Sequence, residues 1–174
     1  MSGSSSSSSS SSGYGNSRRT CLRCVHSKAE IQWLAGMWLT FNNAVPTRDE
    51  VVQILLEGDV FGLSDGVING YVFEYDEACF HNDPQRDVEK TTRLLQMEAP
   101  LIVRLRRGCQ AIDVQGEEGR LVQVVTTSYD PAQQIQDTAS ALGMTSPSIP
   151  NISAAIRIAS ASAINGAWYF SRQR

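Results

Sequence analysis

No stretch of this chain approaches the roughly twenty consecutive apolar residues that cross a bilayer, so no membrane-spanning helix is expected. Serine fills the place of an apolar signal core near the N-terminus, which argues against secretion. Without a secretory signal, the four cysteines are expected as free thiols in a reducing compartment. Ser2 rather than glycine follows Met1, and the chain ends Arg172-Gln173-Arg174, so neither myristoylation nor prenylation is expected. Histidine is scarce, with only His26 and His81. A basic excess is also missing: the sequence pI near 5.4 argues against a general nucleic-acid binder.

What is present begins with serine. Ser4 to Ser12 is an unbroken run, followed by Gly13, Tyr14, Gly15, Asn16 and Ser17. Such a segment has too little apolar surface to offset the entropy of ordering, so residues 1–28 are expected to be a disordered arm. The arm is cationic, because Arg18, Arg19, Arg23 and Lys28 all precede the first acid, Glu30. Residues 29–174 suffice for one domain with an ordinary core, and 41% hydrophobic content is normal for a globular fold. Charge within them is uneven. Residues 48–98 carry twelve acids against four bases, a net of −8, and residues 99–174 carry seven bases against five acids, a net of +2. Unlike charge at opposite ends suits head-to-tail self-association, although solvated faces would look the same.

Local patterns give a coarse order of elements. Ile31, Trp33, Met37, Leu39 and Phe41 share one parity, which predicts a strand over 30–41 with a bulge at Gly36. Thr47 and Glu50 form a capping box that starts a helix over 48–57, with Gly58 as its stop. A strand over 67–75 places Tyr71, Phe73 and Tyr75 on one face. Asp83-Pro84 and Asp130-Pro131 are caps followed by proline, opening helices to about Met97 and Leu142. Between them, Leu101–Arg107 and Leu121–Thr127 read as a hairpin through Gln115–Gly119. At the end, Ile152, Ile156, Ala159 and Ala163 fit a helix, but Asn165-Gly166 is a hairpin signal, and a closing hairpin is favoured. The expected fold is α+β, with a small antiparallel sheet and about three helices.

Four sets of residues carry chemistry. Gly62-Leu63-Ser64-Asp65-Gly66 matches a nucleophile elbow, but a helix precedes it and a strand follows, the reverse of what an elbow needs. A plain turn is expected there, and no catalytic residue is assigned. Cys21, Cys24, Cys79 and His81 supply four zinc-type ligands, with His26 as a substitute for one. Against zinc stand the 54 residues between Cys24 and Cys79 and the tight second pair, so no cofactor is expected. Arg104, Arg106 and Arg107 form the one basic cluster of the body, with Arg104 and Arg106 opposite Leu101, Val103 and Leu105. With Arg18 and Arg19 they could contact RNA phosphates or anionic lipid headgroups. Trp33, Trp38 and Trp168 are read first as core residues and second as interface anchors.

The order of these features resembles the matrix proteins of rhabdoviruses, whose flexible polar arm precedes one α+β domain. The expected strand Ile31–Phe41, the linker Ala44-Val45-Pro46-Thr47 and the helix from Asp49-Glu50-Val51-Val52 are similar to that family's first strand, proline-bearing turn and first helix. Asn165-Gly166-Ala167-Trp168 resembles its closing hairpin, and the length suits members that infect plants. The chain departs from the pattern in having no lysine-rich run and no Pro-Pro-x-Tyr or Pro-Thr/Ser-Ala-Pro motif. The resemblance implies a non-enzymatic virion protein that self-associates and bridges nucleocapsid to an anionic membrane surface, peripheral at membranes in the infected-cell cytoplasm. Two other classes stay open: a capsid or nucleocapsid protein whose arm touches RNA, and a zinc-stabilised regulatory or silencing-suppressor module.

Overall fold

The computed structural model describes residues 19–21, 26–61, 64–79, 81, 83–161 and 168–170, with backbone alone at 19–21 and 168–170. Most of the expected arm lies outside them. Its residues Arg19–Cys21 form a short strand, β1, that pairs antiparallel with Trp168–Phe170, β6.

The first buried element overturns the strand expected over 30–41. Lys28–Asn42 is a helix, α1, and its start is a capping box in which Ser27 Oγ accepts from Glu30 N at 3.1 Å. Parity misleads here because α1 is wrapped on nearly all sides. Leu34, Ala35 and Gly36 are buried along with Ile31, Trp33 and Met37, so no two-residue alternation exists to be read. Gly36 is a packing contact, not a bulge: a Cβ there would collide with the Ile135 side chain.

The capping box at Thr47 forms as expected, with Thr47 N donating to Glu50 Oε2 at 2.6 Å, and opens α2, Arg48–Val60. Gly58 does not stop this helix. It lets the next segment approach, since a Cβ would stand 2.6 Å from Ser64 O and 2.7 Å from Gly66 N. The strand expected over 67–75 is two strands, β2 (Gly66–Ile68) and β3 (Tyr71–Glu77). Asn69 and Gly70, at φ 52° and 82°, make the tight turn between them. Both proline-led helices form, α3 at Pro84–Gln96 and α4 at Pro131–Ala141, capped by Asp83 and Asp130.

β4 (Ile102–Arg107) and β5 (Leu121–Thr126) run parallel, with Ile102 opposite Leu121, so the expected hairpin is a crossover over 108–120. β3 and β4 are also parallel, joined through α3. The sheet order is β2-β3-β4-β5 and the sheet is mixed, which corrects the antiparallel expectation. Ile149–Ser160 is a helix, α5, in place of a closing hairpin; Asn165 and Gly166 lie outside the described residues. Among the described residues, five helices and this sheet form one α+β domain, the class expected, with more helix than expected.

One sheet face meets α1, α2, α4 and α5 in the main core. Trp33 stands at its centre, 5.7 Å from the Phe73 ring and 5.8 Å from the Tyr75 ring. Its indole Nε1 donates to Thr138 Oγ1 at 3.1 Å, and Trp38 packs at the margin of the same core. The Trp168 side chain lies outside the described residues. On the other face, α3 and the crossover bury Val72, Ile102, Leu94, Leu95, Ile112 and Val114.

Candidate functional site

The second face changes character along the strands. Past Val72 and Ile102 the inward positions become Glu74 and Asp76 on β3 and Arg104 and Arg106 on β4, with Glu74 opposite Arg104 and Asp76 opposite Arg106. Arg104 is 0% exposed and Arg106 1%, so neither lies on a solvated strand face. This corrects the expected surface patch. The parity was right, but α3 covers the face.

The guanidinium groups are held from within. Arg104 Nε and Nη2 donate to the two oxygens of Asp76 at 2.9 and 2.7 Å, a bidentate fork, and Nη1 donates to Thr91 Oγ1 at 2.7 Å. Arg106 donates to Asp76 Oδ2 at 2.6 Å, to Asp87 Oδ2 at 3.1 Å and to the Gln110 carbonyl at 2.6 Å. Lys90 Nζ reaches Glu74 Oε2 at 2.6 Å. Three carboxylates thus meet three cations, which is how burial of so much charge is tolerated. Burial lowers the affinity of Arg104 for its proton, but Asp76 and Glu74 outweigh it and raise its pKa. For Asp87, burial pushes upward, and the hydrogen bond with His81 and the charge of Arg104 outweigh that and hold its carboxyl below the usual range.

Arg107 alone of the three arginines turns toward the edge. It pairs with Glu77 at 2.5 Å and lies 4.2 Å over the exposed Tyr129 ring. Arg18 lies outside the described residues, and Arg19 is described by its backbone in β1.

The zinc-type set is not brought together among the described side chains. His81 Nδ1 is 2.7 Å from Asp87 Oδ1 and 3.3 Å from Asp76 Oδ1, so it caps the ion network. Cys79 is exposed, its thiol 3.7 Å from Glu77 Oε2. Cys21 contributes only backbone to β1, and Cys24 lies outside the described residues. Cys109 is half-buried, and burial raises its thiol pKa. In the Gly-x-Ser-x-Gly stretch, Ser64 is buried and its hydroxyl donates to Gly58 O at 3.3 Å, a helix-to-strand packing role. Gly62 and Leu63 lie outside the described residues.

A second polar centre lies where the start of α1, the end of α2 and the start of β2 meet. His26 Nδ1 contacts Glu30 Oε1, while Glu30 Oε2 accepts from Ser27 N at 3.1 Å. Asp65 extends the β2–β3 ladder: its N–H donates to Phe73 O at 3.1 Å and its Oδ2 accepts from Tyr75 N at 2.5 Å. His26, Glu30 and Asp65 each bring one ligand-type atom to within 4.8 Å of the others. Burial pushes Asp65 up to about 7, aided by the charge of Glu30. Burial and then the charge of Asp65 push Glu74 up to about 7 as well. Burial lowers the pKa of His26, but the hydrogen bond and charge of Glu30 outweigh it and raise it overall. Sequence reading named His26 only as a substitute zinc ligand and missed Glu30 and Asp65. Ser27-x-x-Glu30 was the signal available, because a capping box fixes Glu30 back toward the residue before its helix.

A third feature is backbone. β5 is the last strand of its sheet, and among the described residues no strand lies on its outer side. Ile102 N donates to Arg120 O and Gly108 N to Thr126 O, so the even residues of β5 face β4. The backbone groups of Leu121, Gln123 and Val125 therefore point outward. Nothing from Leu121 to Thr127 is charged, and Val125 is half exposed, with Tyr129 beyond it. The opposite edge, β2, is three residues long and packs against α2. No helix is long and apolar enough to cross a membrane among the described residues. Comparison with protein-family models, curated proteins and solved structures returns no match to this chain.

Proposed function

We propose that this chain is a non-enzymatic, self-associating structural protein of the matrix type, which assembles by pairing β5 edges between copies. The observation that carries the reading is β5 itself: six residues with no charge, no proline and no bulge, with no strand beyond them among the described residues. Folded proteins that stay single usually blunt such an edge with charge, proline or a covering segment. Two copies related by a two-fold axis would satisfy the outward groups of Leu121, Gln123 and Val125 reciprocally.

In this reading the bridge to nucleocapsid or membrane is made by the arm. Arg104 and Arg106 are engaged internally, which leaves Arg18, Arg19, Arg23 and Lys28 as the contiguous cationic stretch for an anionic surface. A coat that wraps RNA needs many phosphate contacts per copy, and the loss of two arginines to the interior favours matrix over capsid. The test is the mass of the full chain by light scattering across concentration. Mass should rise to a dimer or higher, and Val125→Pro should hold it at the monomer. A full chain that remains monomeric at every concentration contradicts the reading. Flotation with anionic vesicles at low salt, lost on deleting residues 1–28, checks the arm; flotation unchanged by that deletion removes the arm from the bridge.

A further inference from the structure

We infer that the two ends of the chain, paired as β1 and β6, form one lipid-contact ribbon whose partner is an anionic bilayer surface. The inference rests on the bridging role proposed above and deepens it. It names the partner, and it adds a strand from the far end of the chain to the cationic arm.

The sequence segregates its charge. All eighteen acids lie between Glu30 and Asp137, so both ends are free of acid, and together they carry seven of the fifteen bases. The fold joins these ends. Arg19 stands opposite Phe170, Thr20 opposite Tyr169 and Cys21 opposite Trp168 in an antiparallel pair. Arg18 directly precedes β1 in sequence, and Arg172 and Arg174 follow β6 within four residues. Four arginines and three consecutive aromatic residues are thus gathered from opposite ends of the chain. The middle of the chain offers no rival. Residues 30–137 set eighteen acids against eight bases, a net of −10, so an anionic surface attracts the ends and repels what lies between them. Among those eight bases, Arg104 and Arg106 are buried and Arg107 pairs with Glu77.

The chemistry of the ribbon fits lipid better than RNA. Trp and Tyr settle at the headgroup level of a bilayer, and arginines beside them are drawn to anionic headgroups. Strand alternation places positions 168 and 170 on one face of the ribbon and position 169 on the other. Aromatic residues on both faces suit immersion in an interface, whereas base stacking uses a platform on one face. Four arginines are also few for tracking a phosphate backbone.

The test is flotation of the full chain with phosphatidylcholine vesicles, with and without phosphatidylserine, at low and high salt. The chain should float with phosphatidylserine vesicles at low salt alone. Trp168→Ala/Phe170→Ala and Arg172→Gln/Arg174→Gln should each lower the bound fraction at least about threefold. Deleting residues 1–17 spares β1 and Arg18 and should leave flotation unchanged. Vesicles with brominated acyl chains should quench tryptophan fluorescence. Trp33 is enclosed in the core, so Trp168→Phe should keep flotation and remove most of the quenching, a readout that stands even if the double variants fail to fold. Flotation that is lost on deleting residues 1–28 but unchanged in both double variants overturns the ribbon and leaves the arm alone as the bridge. Full quenching in Trp168→Phe, or loss of flotation on deleting residues 1–17, also overturns it. So does a full chain that never floats, including one that binds a single-stranded oligoribonucleotide instead. Light scattering judges β5 pairing separately in every case.

Discussion

Asp76 is the residue on which the most others depend. It takes a bidentate fork from Arg104 and a further bond from Arg106, all at 0–1% exposure. Removing it strands two guanidinium groups in the interior, a loss of about 3–5 kcal/mol by the usual cost of breaking a buried pair. Asp76→Ala should therefore shift the denaturant midpoint far to the left or leave the chain unfolded. A midpoint close to wild type would mean that Arg104 and Arg106 find water in its place. The sequence did reveal that Arg104 and Arg106 share a face, because alternation is a property of any strand. It did not reveal that the face is covered. Their partner acids lie 17 to 30 residues away in a region that reads as an excess of surface negative charge. Four charges of that region are spent in this network: Glu74, Asp76 and Asp87 meet Lys90 of the same region and Arg104 and Arg106 from beyond it.

Elements opened by chemistry were legible, and elements defined by burial were not. The Thr47 capping box and the two Asp-Pro starts set α2, α3 and α4 at their first residues. The Ser27 box stands equally plainly in the sequence, but the shared parity of Ile31 to Phe41 predicts a strand there, which fails in a helix buried all round. Its contribution can be measured: Ser27→Ala should cost about 1 kcal/mol in chemical denaturation. No effect would mean that the core around Trp33 holds the start of α1 without its cap. The strand pairings were least legible, because the sequence marks where β4 and β5 lie and not which way they run. At β5 the backbone direction makes a sharp prediction. Val125→Pro removes an outward N–H and spares the ladder to β4, so the monomer should stay folded by circular dichroism and lose self-association. Val124→Pro would instead remove a ladder donor and should destabilise the domain itself.

Over the whole molecule, the two polar centres give stability a pH dependence of known sign. Glu74 is raised from its usual range to about 7, so the folded chain holds a proton that the unfolded chain releases. Stability therefore falls as pH rises from about 4.5 through 7. Asp87 is lowered, so its contribution is present above the ordinary carboxylate range and is lost as pH falls through it. Together they place the maximum Tm near pH 5, measured in chelator, with a decline toward pH 8. Asp65, also raised to about 7, acts in the same direction, so Glu74→Gln should lessen that decline without abolishing it. A Tm that climbs steadily from pH 5 to 8 would show that Glu74 and Asp65 are both charged throughout. None of this was visible in composition, since a net charge of −3 describes the solvated chain and says nothing of which charges are enclosed.

The claim at the centre of the account is that β5 is an interface between copies, and amide hydrogen exchange on the full chain addresses it at the atoms concerned. The outward amides of Leu121, Gln123 and Val125 should exchange quickly in dilute solution and become protected as concentration rises, while those of Val122 and Val124 stay protected throughout. Outward amides that exchange at the same rate at every concentration would contradict it.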